Sequence, residues 1–241
     1  MRLIVNGTAM KRTVLAFIAM IVLASCAGET DVNVLFIGNS HTHGNDLPGV
    51  LEEIGDANGV AIGTQMIAPG GAYLHEHVAN PDVVAALQSG DFDMVVFQEQ
   101  SVAPSVLAFA EQNTLPAARS LDSIADAAGV QVIWFQTWGH VAGFPSEAHS
   151  SYESMQAAIN RTYETMAEQN GGSIARVGEA WTRARNTLPT ASYIEDGTHP
   201  SPAGTYLAAV EITETIMGGP VSETPAVGDV DEQTAQALAN A

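Results

Sequence analysis

Five short runs rich in apolar residues alternate with helical patterns along the chain, and this alternation restricts the fold more than any other feature. The runs lie at 34–37, 59–67, 94–97, 131–135 and 174–178, and helical patterns occupy 46–58, 81–89, 115–128, 151–170 and 202–217. Such runs are typical of buried parallel strands, and strands that alternate with helices predict helices on both sheet faces. We predict an α/β fold, a three-layer α/β/α sandwich with a five-stranded parallel sheet and the flavodoxin-like strand order 2-1-3-4-5.

The first apolar run, at 34–37, leads through Gly38 to a serine, Ser40. Asp46 and Pro48 then open a helix, as an N-cap residue and a first-turn proline commonly do. Ser40 is therefore expected at the carboxyl edge of the sheet, beside the point where the strand order reverses, and ligands bind there in open α/β sheets. The position suits a nucleophile, and it equally suits an ordinary polar loop residue.

A second polar pattern, Asp196-Gly-Thr-His199, precedes the last helix. A carboxylate three residues before a histidine can contact the imidazole, fix its tautomer and leave the other ring nitrogen free to deprotonate a serine. Glu195 is the alternative partner for His199, at a spacing of four residues. The alternative interpretation of these residues is a surface turn with no catalytic role, because Asp-Gly is a common turn dipeptide.

Together the two patterns resemble the first and fifth sequence blocks of the SGNH (GDSL-like) hydrolase superfamily. Further stretches similar to a bacterial branch of that superfamily lie at 46–48, 70–75, 95–101 and 137–139. The resemblance covers about residues 32–217 and implies a serine esterase on the three-layer fold. It assigns Ser40 as nucleophile, His199 as base and Asp196 as the partner of the base.

The resemblance also implies an oxyanion hole, which is a set of N–H donors for the negative oxygen of the reaction intermediate. Its donors would be the Ser40 amide, the amide of Gly71 or, as the alternative, Gly70, and one side chain of the third block. Gln100 aligns with the usual asparagine of that block and can donate an amide N–H, and Gln98 is the alternative.

The chain departs from the family pattern in two places. Asn39 stands where the first block usually has aspartate, and 98–101 reads Gln-Glu-Gln-Ser instead of Gly-x-Asn-Asp. These departures keep open a second reading, a non-catalytic cell-surface protein that binds carbohydrate. For the esterase we expect short acyl groups, acetyl above all, on a small-molecule or carbohydrate ester. The substrate-lining candidates are His41, Gln98 and Trp138.

Four histidines form two His-x-His pairs, His41 with His43 and His75 with His77. Two imidazoles at this spacing can bind a metal when the backbone is extended. The sequence lacks a further tight Cys, Asp or Glu cluster near them, so hydrogen-bonding or substrate-lining roles are favoured. We expect no metal and no cofactor.

The first 26 residues have the pattern of an export signal. Basic residues precede an apolar run from Val14 to Leu23, which ends in Leu-Ala-Ser-Cys26. This ending resembles a bacterial lipobox with Cys26 as the lipidated residue, and the alternative is a plain signal peptide. We expect an exported bacterial lipoprotein, periplasmic or at the cell surface, with a tether at 27–31, a hydrolase domain at 32–217 and an acidic tail at 218–241. The tail is expected to be either disordered or a short surface helix.

The chain after Cys26 is strongly acidic. It holds 27 carboxylate side chains against five arginines and no lysine, so its net charge is −22. Such a surface repels nucleic acid and anionic lipid headgroups. We therefore expect no nucleic-acid partner, and contact with a membrane only through the lipid anchor.

Overall fold

A five-stranded, all-parallel sheet forms the centre of the molecule, with strands in the order β2-β1-β3-β4-β5. This computed structural model describes residues 31–144, 149–187 and 196–240. The strands are β1 (Val32–Ile37), β2 (Ile62–Ile67), β3 (Met94–Phe97), β4 (Gln131–Phe135) and β5 (Ser173–Ala175). The predicted fold class and strand order are confirmed.

Helices follow the strands in the expected alternation. They are α1 (Ser40–His43), α2 (Leu47–Ala57), α3 (Leu74–Val78), α4 (Pro81–Leu87), α5 (Leu107–Phe109), α6 (Leu115–Ala128), α7 (Tyr152–Asn170), α8 (Val177–Thr187), α9 (Pro202–Met217) and α10 (Glu232–Ala239). Short 3₁₀ turns occupy Gly44–Asp46 and Ala103–Ser105, and a π-turn occupies Ala110–Thr114. Among the described residues, no helix is both long and apolar enough to cross a membrane.

The side chains of each strand divide the core into two layers. Val34 and Phe36 of β1 are buried on the face covered by α2, α8, α9 and α10. Leu35 and Ile37 are buried on the face covered by α3, α4, α6 and α7. Because successive strand residues point to opposite faces, a strand buried on both sides must be apolar throughout. This is why the short apolar runs predicted the strands.

Helix α9 illustrates how local sequence sets the helix bounds. The Ser201 side chain accepts a hydrogen bond from the Gly204 amide at 3.3 Å, and Pro202 occupies the first turn. Gly218 ends the helix in the left-handed conformation, with φ of 68°, which glycine adopts without a steric penalty. The cap at Ser201 directly follows the Asp196–Pro200 turn, so the start of α9 holds that turn at the edge of the sheet.

Two segments differ from the sequence-based expectation. Helix α8 starts at Val177, inside the stretch predicted as the end of the fifth strand. Residues 218–240 form more than an acidic tail: α10 and the segment before it bury Val227, Val230 and Leu238 against the α2–α9 layer. The folded unit therefore continues past residue 217. The predicted signal peptide, Cys26 and the tether up to residue 30 lie outside the described residues.

Candidate active site

Ser40 is the first residue of α1, directly after β1. Asn39 caps this helical turn, since its side-chain oxygen accepts a hydrogen bond from the His41 amide at 3.1 Å. The Asn39 side-chain nitrogen donates to the Ala72 carbonyl at 2.9 Å. The residue that replaces the usual aspartate thus joins the serine turn to the glycine-rich loop after β2.

The side chain of Gln98 supports the same turn through hydrogen bonds. Its fully buried side-chain oxygen accepts hydrogen bonds from the Asn39 amide at 2.9 Å and the Thr42 hydroxyl at 2.8 Å, and its nitrogen donates to the Glu99 carbonyl. The space beside Gly38 is filled by Thr42 and Gln98, so a Cβ at that position would clash. The prediction that Gln98 lines the substrate or donates to the oxyanion is wrong, because burial and these bonds occupy its amide.

Ser40, His199 and Asp196 form a hydrogen-bonded chain across the two ends of the sequence. Ser40 Oγ lies 2.9 Å from His199 Nε2, and His199 Nδ1 lies 2.9 Å from Asp196 Oδ2. A carboxylate accepts only, so Nδ1 carries the proton and Nε2 is the acceptor facing the serine hydroxyl. The arrangement allows proton transfer from Ser40 to His199.

Asp196 also shapes the turn that carries the histidine. Its other oxygen, Oδ1, accepts hydrogen bonds from the backbone N–H groups of His199 at 2.7 Å and Thr198 at 2.9 Å. The His199 backbone N–H and then the His199 ring hold the pKa of Asp196 well below its usual range. The alternative partner, Glu195, lies outside the described residues.

The backbone offers two candidate oxyanion donors. Within the described residues, neither the Ser40 amide nor the Gly71 amide donates a hydrogen bond. Gly71 adopts φ of 73°, which turns the loop after β2 in a way that favours glycine. Gly70, the alternative, has its Cα beside the His43 ring. Ser40 and Gly71 thus stay the candidate backbone donors that the family resemblance implies.

Gln100 turns toward its own loop. Its side-chain oxygen accepts hydrogen bonds from the Val102 and Ala103 amides at 2.8 and 3.1 Å. Its nitrogen lies 3.4 Å from Ser101 Oγ, and that hydroxyl lies 3.2 Å from His140 Nε2. One amide hydrogen of Gln100 has no acceptor within the described part of the chain.

His41 and Trp138 are buried and cannot line a substrate site in this conformation, contrary to the prediction. Trp138 is 0% exposed and stacks on Trp181 at 4.0 Å and on His41 at 4.7 Å. His41 is 3% exposed and meets the His199 ring edge to face at 5.4 Å. These rings form a buried column behind His199.

Burial also decides the charge of His41. Desolvation, then the repulsion of a positive charge by His199 and by His140, lowers the pKa of His41 to about 3. His41 is therefore neutral at neutral pH. A second positive charge behind the candidate base is thereby avoided.

A hydrogen-bonded structural role is the favoured interpretation of Glu99 from the sequence, and the structure identifies its partners. Its buried carboxylate accepts hydrogen bonds from the backbone N–H groups of Leu74 and Gln100 and from the Thr114 hydroxyl, at 3.0, 2.7 and 2.7 Å. Burial raises its pKa, and these donors oppose that shift. Glu99 thus joins the loops after β2 and β3 to the π-turn. A carboxylate directly after a buried strand was the available signal.

The histidine pairs do not meet at a metal-binding position. His43 Nδ1 contacts the Ala68 carbonyl and His77 Nε2 the Gly38 carbonyl, both at 2.8 Å. Of the residues that the structure describes, no three His, Cys, Asp or Glu side chains lie close enough together to hold a metal ion. One histidine of each pair, His43 and His77, instead bonds to a backbone carbonyl of the loops around Ser40.

Solved structures of other proteins share this architecture. A proposed SGNH hydrolase from Slackia heliotrinireducens is 32% identical, over 77% of this chain and 98% of that chain, with a TM-score of 0.65. A DUF4886 family protein from Bacteroides uniformis is 21% identical, over 87% and 93% of the two chains, with a TM-score of 0.69. Axe2, an acetylxylan esterase from Geobacillus stearothermophilus, is 18% identical over 78% and 94%, with a TM-score of 0.59.

Neither family models nor curated proteins match the chain. The resemblance to the last two structures is a likeness of fold. The match to the Slackia heliotrinireducens protein combines higher identity with nearly complete coverage of that chain. On this ground the chain belongs to the SGNH hydrolases, a family of carboxylic ester hydrolases.

Proposed function

We propose that this protein is a serine esterase in which Ser40 attacks the ester carbonyl, His199 accepts the serine proton and Asp196 holds the imidazole. One observation carries the proposal: the two 2.9 Å contacts that link these three side chains at the carboxyl edge of the sheet. A serine next to an oriented imidazole is the arrangement that activates a hydroxyl for acyl transfer.

The reaction would proceed in two halves. Attack by Ser40 Oγ forms a tetrahedral intermediate, whose oxyanion accepts hydrogen bonds from the Ser40 and Gly71 amides and from the remaining amide hydrogen of Gln100. His199 then gives its proton to the alcohol oxygen, and the alcohol leaves. Water attacks the acyl-enzyme with His199 again as base, which releases the carboxylic acid and restores Ser40.

For the substrate we propose short acyl esters, acetyl above all, on carbohydrate. The support is a shared fold with an acetylxylan esterase and an open site, since the Asp196 and His199 side chains are 57% and 46% exposed. The test is kcat/KM across p-nitrophenyl esters from acetate to decanoate, followed by acetate release from acetylated oligosaccharides. Each methylene buried in a fitting pocket contributes about 0.8 kcal/mol, so a rate that climbs steadily to decanoate contradicts the acetyl preference.

The triad is tested with Ser40→Ala and His199→Ala. Each should lower kcat for p-nitrophenyl acetate by about 10³-fold or more, because members of a triad act as a unit. Circular dichroism should show the same fold in each variant. A variant that keeps a near-wild-type kcat would contradict the proposed triad.

Activity should also survive EDTA, because a serine activated by proton transfer needs no Lewis acid.

One observation favours a second function, the non-catalytic binding of carbohydrate. Gln98 is fully buried beneath the serine turn and Gln100 turns toward its own loop, so neither side chain is directed at Ser40 as an asparagine donor of the third block would be. The same protein distinguishes the two functions. Oligosaccharide binding by calorimetry without turnover of any ester supports the binding protein, and turnover abolished by Ser40→Ala supports the esterase.

We also propose that the protein is exported and anchored to a bacterial membrane through a lipid on Cys26. The support is the Leu-Ala-Ser-Cys26 ending of the apolar run. Expression in a bacterial host with labelled fatty acid should label the wild-type protein and place it in the membrane fraction. The Cys26→Ser variant should lose both the fatty-acid label and the membrane location. Label retained by that variant would contradict lipidation at Cys26.

A further inference from the structure

Two peptide carbonyls flank His199, and each accepts a hydrogen bond from a side chain outside the histidine turn. Trp138 Nε1 donates to the Thr198 carbonyl at 2.9 Å. Asn45 Nδ2 donates to the Pro200 carbonyl, also at 2.9 Å. The carbonyls of the residues directly before and after the candidate base are therefore held from two directions.

Asn45 adopts a backbone conformation that ordinary residues avoid. Its φ is 51° and that of Asp46 is 54°, so two successive non-glycine residues are left-handed. Such strain persists where surrounding contacts hold the residue in place, and it is frequent at functional sites. Asn45 Nδ2 also lies 2.9 Å from the Thr205 hydroxyl on α9. The segment that begins with Ser40 is thus joined to the turn that carries His199.

Trp138 is fixed equally firmly. It follows the carboxyl end of β4, is 0% exposed and lies between the rings of His41 and Trp181. A ring stacked on both faces cannot rotate without disturbing the core. Its N–H group therefore holds the Thr198 carbonyl in one position.

We propose that Asn45 and Trp138 are positioning residues. They hold the general base His199 next to Ser40 through hydrogen bonds to the Pro200 and Thr198 carbonyls. The proposal deepens the proposed esterase function and rests on it for its kinetic consequences. Asp196 and His199 lie in a half-exposed turn, and such turns move unless they are held. Bonds to the backbone restrain the turn and leave the ring nitrogens available to Asp196 and Ser40. Neither residue touches the reacting atoms.

The test uses two variants that remove one donor each with little other change. Asn45→Gly keeps the left-handed backbone, which glycine adopts freely, and Trp138→Phe keeps an aromatic ring in the stack. We expect each to lower kcat for p-nitrophenyl acetate about tenfold, because each loses a hydrogen bond that holds the turn of His199, and to leave KM within about twofold. Asn45→Gly also loses the bond to the Thr205 hydroxyl.

The chain offers a matched control for each variant. Asn58 lies at the opposite end of α2 from Asn45 and donates to two backbone carbonyls, of Ile54 and Glu223, at 2.8 and 2.9 Å. Its oxygen also accepts bonds from the Ser222 and Glu223 amides at 2.7 and 3.0 Å. Trp134 is fully buried and donates to the Gly171 carbonyl at 2.9 Å. Asn58→Ala and Trp134→Phe lose the same kinds of bond, so they should lower Tm and keep the wild-type kcat.

A second readout does not need turnover. The proton NMR signal of the His199 Nδ1–H group, which is bonded to Asp196, should shift or broaden in Asn45→Gly and Trp138→Phe and stay in place in the two controls. An unchanged kcat in Asn45→Gly, an unchanged NMR signal, or equal kcat losses in the controls would overturn the proposal. If the wild type hydrolyses no ester, the esterase function fails and the NMR signal alone decides the positioning role. Asn45→Gly decides the matter if Trp138→Phe does not fold.

Discussion

His41 follows the candidate nucleophile and is held neutral by burial, with a pKa lowered to about 3. An unfolded histidine has a pKa near 6.5, so below that pH the unfolded chain binds a proton that the folded chain refuses. The free energy of unfolding therefore falls as the pH drops from about 6.5 toward 3. The titratable groups facing His41 are His199, His140 and Asp196.

Replacement of His41 by phenylalanine should remove this acid sensitivity. Between pH 7 and pH 5 we expect His41→Phe to lose about 2 kcal/mol less of its unfolding free energy than the wild type does, as linkage predicts from the two pKa values. Urea unfolding at both pH values measures the difference. Trp181→Phe, in the same column, is the control, because it changes packing without changing a titrating group. Parallel losses in His41→Phe and the wild type would refute the linkage.

Asp196 both orients the base and bonds two amides of its own turn. Asp196→Ala should therefore reduce kcat by a smaller factor than Ser40→Ala but by about 10²-fold or more, because the base keeps its place on the chain while its tautomer and turn are released. Steady-state kinetics on p-nitrophenyl acetate measures this. Glu195→Ala is the matched control, and a larger loss in that variant would transfer the carboxylate role to Glu195.

Among the elements, α10 has the clearest energetic consequence. Leu238 is 1% exposed and packs into the α2–α9 layer, while Leu107 on α5 is 70% exposed. Leu238→Ala should cost about 2–5 kcal/mol of unfolding free energy, because it removes buried apolar atoms and leaves a cavity. Leu107→Ala, the control, should change it by less than about 0.5 kcal/mol. Urea unfolding compares the two, and equal effects would show that α10 does not belong to the core.

The elements also differ in how far local sequence specified them. The third and fourth strands and helices α6 and α9 have the predicted bounds, because buried strands are wholly apolar and helix ends carry proline or glycine. The sequence does not predict helix α8, because Gly178 is typical of the end of a strand and closes the predicted fifth strand at 174–178. The structure shows another reason for that glycine: the Thr137 carbonyl and the Gln156 side chain leave no room for a Cβ.

At the scale of the whole molecule, the dominant feature is charge. The −22 net charge after Cys26 creates self-repulsion that opposes the compact state. We expect the Tm of the chain from residue 27 onward to rise by several degrees between about 0.02 and 0.5 M NaCl, as the screening length falls below about 5 Å, and then to level off. Calorimetry measures this. A flat Tm would contradict self-repulsion, and a rise that stays linear to higher salt would indicate general salting-out.

The sequence by itself determined the layered α/β fold and the strand order, and its resemblance to the SGNH hydrolases indicated the three residues that meet at the sheet edge. The spacing of apolar residues predicts the strands and helices, and the predicted strand order places a switch point at the first strand, where Ser40 lies. The Ser40 motif and the Asp196–His199 motif can form a catalytic site only where they meet. The tertiary structure decided which neighbouring side chains face solvent. His41, Gln98 and Trp138 follow strands as substrate-lining residues would, yet packing buries them beneath the site. Burial depends on contacts between residues far apart in sequence, such as Trp138 with Thr198 and Asn45 with Pro200, and no local pattern encodes those.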